Sequence, residues 1–315
     1  NETKKFEKKY LNKIANLNAK QLLQSITNLE RIDLKIDKIL SYAHLLVAED
    51  GKNEKNKIFF QQMQEKITKY ASSILFFNVE INQINEKKFK KLIKDNKISN
   101  YKYWIITKRS FRPYQLDLNL EKLMQDKSLT SQSAWIRLFD DIIASLKFPF
   151  RKKTLSSTDI FNLLSDKNSK IRKDAAKSIG KTLSQNIKFF STITNTLAKD
   201  KSINDTWRKL PKPVSARNLS NVVEDRVIES LSKSVMESYP KLSHRYYSMK
   251  SKWFGKKQLM YWDRNAPLPF QNNRVYSWKE AKEIVLSAYN DFNPLIGKIA
   301  KKFFDNSWIN APVLD

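Results

Sequence analysis

Residues 239–269, YPKLSHRYYSMKSKWFGKKQLMYWDRNAPLP, join a bounded helix to an aromatic loop of mixed charge. Pro240 suits a first helical turn, where its missing N–H costs nothing, and Gly255 suits the position just past a helix end. Between them Leu242, Tyr246, Met249 and Trp253 fall on one face at helical spacing. This pattern predicts a helix that starts at Pro240 and stops before Gly255. The following Tyr261-Trp262-Asp263-Arg264-Asn265-Ala266-Pro267-Leu268-Pro269 has two prolines and no periodicity. Asp263 and Arg264, flanked by Tyr261 and Trp262, can line a groove and orient a peptide backbone. The plainer reading is a salt bridge that staples the loop, because ion pairs are commonly structural.

Outward from this stretch the helical signal continues. Four Gly and nine Pro in 315 residues argue for long helices over many short strands. Leu22, Leu23, Ile26 and Leu29 start a stripe that runs through Ile32, Ile36, Ile39, Leu40 and Ala43 to Leu46-Val47, and Glu49-Asp50-Gly51-Lys52-Asn53 breaks it. A second stripe, Ile58, Phe59, Met63, Ile67, Tyr70, Ile74, Phe77 and Ile81, reads as bundle core. Ser131 or Ser133 can cap a helix carrying Trp135, Ile136, Phe139, Ile142, Ile143 and Leu146. Phe148-Pro149-Phe150-Arg151-Lys152-Lys153 is the one candidate for a short strand or hairpin. Ser156 with Asp159 signals a helix start. Residues 174–199 read as strongly helical, and Gly180 in their midst implies close packing or a helix junction. Leu219, Val223, Val227, Leu231 and Val235 repeat every four residues. Ser277-Trp278-Lys279-Glu280 is a capping box, and Asn293-Pro294 is an N-cap followed by a first-turn proline. The fold class is therefore all-α, with at most one short strand or hairpin.

Composition bounds the function. Hydrophobic content of 41% and seven Trp exclude a disordered chain. The absence of Cys removes disulfides, thiolate ligands and a thiol nucleophile. No apolar run approaches the roughly 18 to 20 residues that span a bilayer, and the start lacks an apolar signal core, so the expectation is a soluble, cytoplasmic protein without a membrane partner. The formal charge of +27 suggests nucleic acid. Only 12 of the 59 basic residues are Arg, however, and the Lys are dispersed among Glu and Asp on helix faces. Phosphate and base recognition favour Arg forks, so solvated faces account for the charge better. Lys87-Lys88 and Lys90-Lys91 around Phe89 form the densest cluster. Asp140-Asp141 does not make a shared-proton dyad, because adjacent helical residues point to different sides; Asp140 reads as a surface charge near Arg137.

Several short motifs, in order, resemble the oligoendopeptidase F family of zinc metallopeptidases, and within it the alphaproteobacterial branch. Ala134-Trp135-Ile136-Arg137-Leu138-Phe139-Asp140 with Ala144-Ser145-Leu146-Lys147-Phe148-Pro149 looks like the family's small N-terminal module. Lys173-Asp174-Ala175-Ala176, residues 192–201, Ala216-Arg217-Asn218-Leu219, residues 261–269 and the C-terminal Phe303-Phe304-Asp305-Asn306-Ser307-Trp308-Ile309-Asn310-Ala311-Pro312 continue the likeness. It covers Leu118 to Asp315; residues before Leu118 match only in helical character and length. The resemblance implies an N-terminal helical lobe (1–116), a small oligopeptidase F N-terminal-type module (117–181) and the first portion of a peptidase domain (182–315). One departure is Asn310, where relatives carry Asp after Trp-Ile.

The resemblance also implies a mechanism. Two helical lobes enclose a channel that admits short oligopeptides, and zinc polarises the scissile carbonyl while a Glu activates the bound water. The metal sits on a helix bearing His-Glu-x-x-His, completed by a downstream Glu. This chain has only His44 and His244, neither with a second His four residues on. No catalytic and no metal residue is therefore assigned within it, and Tyr261, Asp263 and Arg264 are the substrate-channel candidates. The expectation is the N-terminal half of a longer hydrolase, consistent with a start at Asn1, with the zinc motif lying beyond Asp315. Its partners would be short peptides and the C-terminal catalytic half of the same protein. Alone, it is expected to bind no zinc and cleave nothing. The alternative is an inactive helical peptide-binding or scaffold remnant of a split gene; a basic nucleic-acid-binding helical protein ranks third.

Overall fold

Helix α1 (Glu2–Tyr10) lays Phe6 and Tyr10 against the antiparallel pair α2 (Ala19–Glu49) and α3 (Glu54–Ile74). Asn18 and Gln21 exchange side-chain and backbone hydrogen bonds at the start of α2 (both 3.0 Å). This reciprocal capping box fixes where the long helix begins. The computed structural model describes residues 1–51, 53–270 and 274–309.

Phe76, Phe77 and Ile81 of α4 (Phe76–Gln83) are wholly buried at the centre of the first core, with Leu22, Ile26, Ile98 and Ile105 around them. α5 (Glu86–Leu92), α6 (Lys102–Ser110) and α7 (Leu118–Lys127) complete this lobe. Two buried charges organise its backbone. Glu80 accepts from the N–H groups of Asn12 (2.6 Å) and Ile14 (2.9 Å). Arg109, stacked 4.2 Å over the Phe89 ring, donates to the Ile81 and Ile84 carbonyls (3.1 and 2.7 Å) at the end of α4. The second stripe differs from expectation. Ile67, Ile74, Phe77 and Ile81 are core, but Ile58 and Tyr70 are exposed. α1 is about 14 Å long and α2 about 46 Å, so α1 covers only the inner part of the α2–α3 pair.

A second, smaller core gathers Leu146, Phe148, Ile160, Ala175 and Ile179. It joins α8 (Gln132–Ser145), the antiparallel strands β1 (Phe148–Phe150) and β2 (Lys153–Leu155), α9 (Ser157–Asn162) and α10 (Ser169–Gln185). The expected hairpin thus forms, turning through Arg151 at φ 54°. Ser156 caps α9 as read, accepting from Asp159 N–H (3.2 Å). Ser131 precedes α8 without a side-chain cap. Asp141, not Asp140, takes an ion pair, with Lys57 (3.2 Å), and Arg137 donates to Gln64 (3.1 Å). Residues 174–199 are split at Asn186 between α10 and α11 (Ile187–Arg208). Gly180 has open space where a Cβ would lie, so the close packing expected there is absent and the junction falls six residues later. Arg208, at the end of α11, forks onto Glu121 of α7 (2.7 and 2.8 Å) and ties the two cores together.

The remaining helices are α12 (Ser215–Ser220), α13 (Asp225–Ser238), α14 (Arg245–Trp253), α15 (Trp278–Phe292) and α16 (Pro294–Asp305). The four-residue repeat from Leu219 is broken between α12 and α13, where Val222 adopts φ 53°. Pro240 does not open a helix. It lies in a rod running from Asp225 to Trp253, inside a π turn in which His244 N–H reaches back to the Tyr239 carbonyl (2.9 Å). Proline lacks the N–H and crowds the carbonyl four residues earlier, and a local widening relieves both. The Gly255 stop holds: at φ 62° it forms a Schellman end, with Lys256 N–H on the Ser251 carbonyl and Gly255 N–H on Lys252 (both 2.9 Å). α15 and α16 start at the capping box on Ser277 and at Asn293-Pro294, as read. The end of the C-terminal motif, including Asn310, lies outside the described residues.

Candidate functional site

The loop after Gly255 is held by one carboxylate. Asp263 is 0% exposed and sits in a single 3-10 turn, Tyr261–Asp263. Its Oδ1 accepts from Arg172 Nη2 (2.6 Å) and Ser169 Oγ (3.5 Å), and its Oδ2 accepts from Lys256 Nζ (2.7 Å) and Met260 N–H (3.2 Å). Burial alone would raise this carboxyl, but Lys256, Arg172 and the Met260 N–H outweigh it and hold it below the usual range. Arg172, on the first turn of α10, also donates to the Asp166 and Lys167 carbonyls (2.7 and 2.9 Å). Lys250 of α14 is buried and donates to the Arg264 carbonyl (2.8 Å). Burial, then the nearby Arg172, push its ammonium below the ordinary lysine range. Lys173 lies 5.6 Å over the Trp262 ring.

The three candidate residues are therefore divided. Asp263 is a staple between α10 and the loop, with both oxygens engaged, so it cannot at the same time orient a peptide. Tyr261 is 68% exposed, and it and Arg264 line an open groove of 910 Å³ between α14 and the loop. Arg172, Lys250 and Lys256 escaped the sequence reading. Arg172 had a signal: it stands three and four residues before Ala175 and Ala176 and seven before Ile179, all buried on the same face of α10. Lys250 had none, because it lies off the apolar stripe of its own helix.

That stripe faces outward. Leu242, Tyr246, Met249 and Trp253 of the rod are exposed, whereas Lys250 and Ser251 are buried. α13, α15 and α16 behave alike: Val227, Leu231 and Val235, then Ile284, Tyr289, Ile296, Ile299 and Phe303, all stand exposed. His44 and His244 lie against Phe60 and Tyr239 respectively. Among the described residues no three His, Cys, Asp or Glu side chains converge, so these residues do not fit a zinc site.

A family model described as Oligopeptidase F matches residues 80–148, from α4 through β1. The chain is 25% identical to the oligopeptidase PepF of Bacillus subtilis, over 96% of this chain and 46% of that protein. It is 22% identical to the chromosomal oligoendopeptidase F of Lactococcus lactis subsp. cremoris, over 93% of this chain and 50% of that one. The crystal structure of oligoendopeptidase-F from Enterococcus faecium superposes with a TM-score of 0.75 at 19% identity, covering 97% of this chain and 64% of that one. Along nearly its whole length the chain is thus similar to oligoendopeptidase F proteins. It spans about half the length of these curated family members. The likeness also extends before Leu118, where the sequence reading found only helical character and length: residues 80–117 lie inside the family model, and the alignments cover 96% and 93% of the chain.

Proposed function

We propose that the chain is the N-terminal part of an oligoendopeptidase F-type zinc metalloendopeptidase that hydrolyses short peptides inside a closed channel. The outward apolar face of residues 225–305 carries this reading. An exposed stripe of Leu, Val, Tyr, Trp and Phe on several successive helices is costly in water and marks a surface that another body covers. The family members extend well beyond the aligned residues, and in this reading their further length supplies that body. The chain then divides as 1–116, 117–181 and 182–315, the last a portion of the peptidase domain, and provides an outer lobe and one channel wall. Zinc and the general base belong to the part that carries His-Glu-x-x-His, so no step of hydrolysis is assigned to residues 1–315. Their task is to bound the channel: the Asp263 staple stiffens the loop, and Tyr261 and Arg264 face the peptide. No helix is long and apolar enough to cross a membrane, and we place the enzyme in the cytoplasm.

Joining this chain to a catalytic half of the family tests the reading. Internally quenched peptides are expected to be cleaved only by the joined protein, and metal analysis to find zinc one-to-one only there. Tight one-to-one zinc on the 315 residues alone would overturn the proposal. A joined protein that binds zinc yet cleaves no peptide would instead favour an inactive scaffold.

A further inference from the structure

The groove beside the staple differs from the other polar clefts in its charge balance. The 390 Å³ cleft near Tyr114 sets Arg208 against Glu121, and the adjoining 450 Å³ cleft holds Asp200 and Asp205 beside Lys201 and Arg208. In the 910 Å³ groove no described lining residue is a carboxylate. Lys257 and Arg264 on its walls make no ion pair among the described residues, and the Arg264 side chain makes no hydrogen bond. The nearest acid, Asp263, is taken up by Arg172 and Lys256 and cannot neutralise them. Lys250, buried next to the groove residue Ser251, adds a further cation. Three cations thus gather around one buried carboxylate behind the wall, and two cations with no ion pair among the described residues stand in front of it. Low-dielectric walls focus such a field into the cleft. Tyr247 and Tyr261 supply flat apolar faces on either side.

We propose that this groove binds a carboxylate of a peptide, with the Arg264 guanidinium forking onto its two oxygens and Lys257 as a second cation. The proposal rests on the peptide-handling reading above and deepens it. Arg suits the role because its planar fork matches a carboxylate. The chain terminus and an acidic side chain share this chemistry, and both are accommodated by a cleft of this size.

The test measures anisotropy of a fluorescein-labelled peptide of Ala, Leu and Gln titrated with the 315-residue chain. Three forms are compared: free C-terminal acid, C-terminal amide, and an amide with one internal Glu. One or both carboxylate forms are expected to bind about tenfold more tightly than the neutral amide, and which one does so identifies the source. Raising the salt should narrow the gap. Arg264→Gln should erase the preference, bringing the carboxylate forms down to the affinity of the neutral amide for the same variant; the wild-type fold is expected, because only the Arg264 carbonyl is used internally. Circular dichroism checks this, and Lys257→Gln, with a smaller loss, is the second variant. Equal affinity for all three forms, or a preference that survives Arg264→Gln, overturns the carboxylate assignment and leaves the peptidase reading standing. A chain that binds none of the peptides overturns the proposal too, whereas the peptidase reading is decided by the hydrolysis assay.

Discussion

The two ends of this chain use the same kind of helix in opposite ways. In α1–α6 the apolar stripes point inward: Phe6, Leu22, Ile26, Phe77 and Ile105 meet in one core. In α13–α16 stripes of equal quality point outward, and the residues turned inward on α14 are Lys250 and Ser251. Amphipathic periodicity therefore says that a face will be buried, and leaves open against what. The polar side of α14 is occupied by the Asp263 cluster, a connection within the chain. Its apolar side is free for another body.

The largest expected effects lie in the elements that are already complete. Phe77→Ala removes a wholly buried ring from the first core and should cost about 3 to 5 kcal/mol in urea unfolding. Asp263→Ala should cost a similar amount, about 3 to 5 kcal/mol, because it strands Arg172 as a buried unpaired charge. If Asp263→Ala were neutral, the polar side of α14 would not be a structural contact and the comparison would fail. The pH dependence has a definite sign. The folded carboxyl titrates below its unfolded value near 3.9. Its stabilisation is thus present above about pH 4 and is lost as the pH falls through the lower folded value. Trp262 fluorescence should report that release, and Asp263→Asn should abolish the transition.

Sequence alone made the first core legible, because Leu22-Ile26-Leu29 and Ile67-Ile74-Phe77-Ile81 repeat at the helical period and no competing signal intrudes. Local stops were equally plain: Gly255, Ser277 and Asn293-Pro294 each act through their own backbone geometry. Pro240 misled, because a first-turn proline and a proline in a π turn look the same without the preceding carbonyls. At the site, the Asp263–Arg264 dipeptide stood out in the sequence but the partners of Asp263 did not. Arg172 and Lys256 reach Asp263 from sequence separations of 91 and 7 residues, and Lys250 reaches the Arg264 carbonyl from 14, with Arg172 and Lys250 on separate helices. Nothing local in a lysine-rich chain distinguishes a paired ammonium from a solvated one.

Two glycines sharpen the contrast at an intermediate scale. A Cβ on Gly297 would meet the Asn290 backbone Cα at 2.9 Å, so α15 and α16 touch at that point. Gly297→Ala should force them apart at a cost of about 1 to 3 kcal/mol, visible as faster amide exchange over 278–305. Gly180, in contrast, has no neighbour within 4 Å of its missing Cβ, in the middle of α10. Gly180→Ala should stabilise the chain by up to about 1 kcal/mol, since helical φ and ψ suit Ala and the unfolded chain loses freedom.

The smallest expected change in stability is the most direct probe of the outward face. Leu231 is 58% exposed on α13, a helix with no buried residue. Leu231→Gln should alter unfolding free energy by no more than about 0.5 kcal/mol, whereas a leucine doing core work would cost several times that. The same substitution should reduce self-association of the 315-residue chain in light scattering, because the apolar stripe shared with Val227 and Val235 is interrupted. In a protein joined to a catalytic half it should instead destabilise, because the side chain would then be buried against its partner. A variant that is neutral in both settings would show that α13 faces water in the joined protein, and the outward stripe would need another occupant.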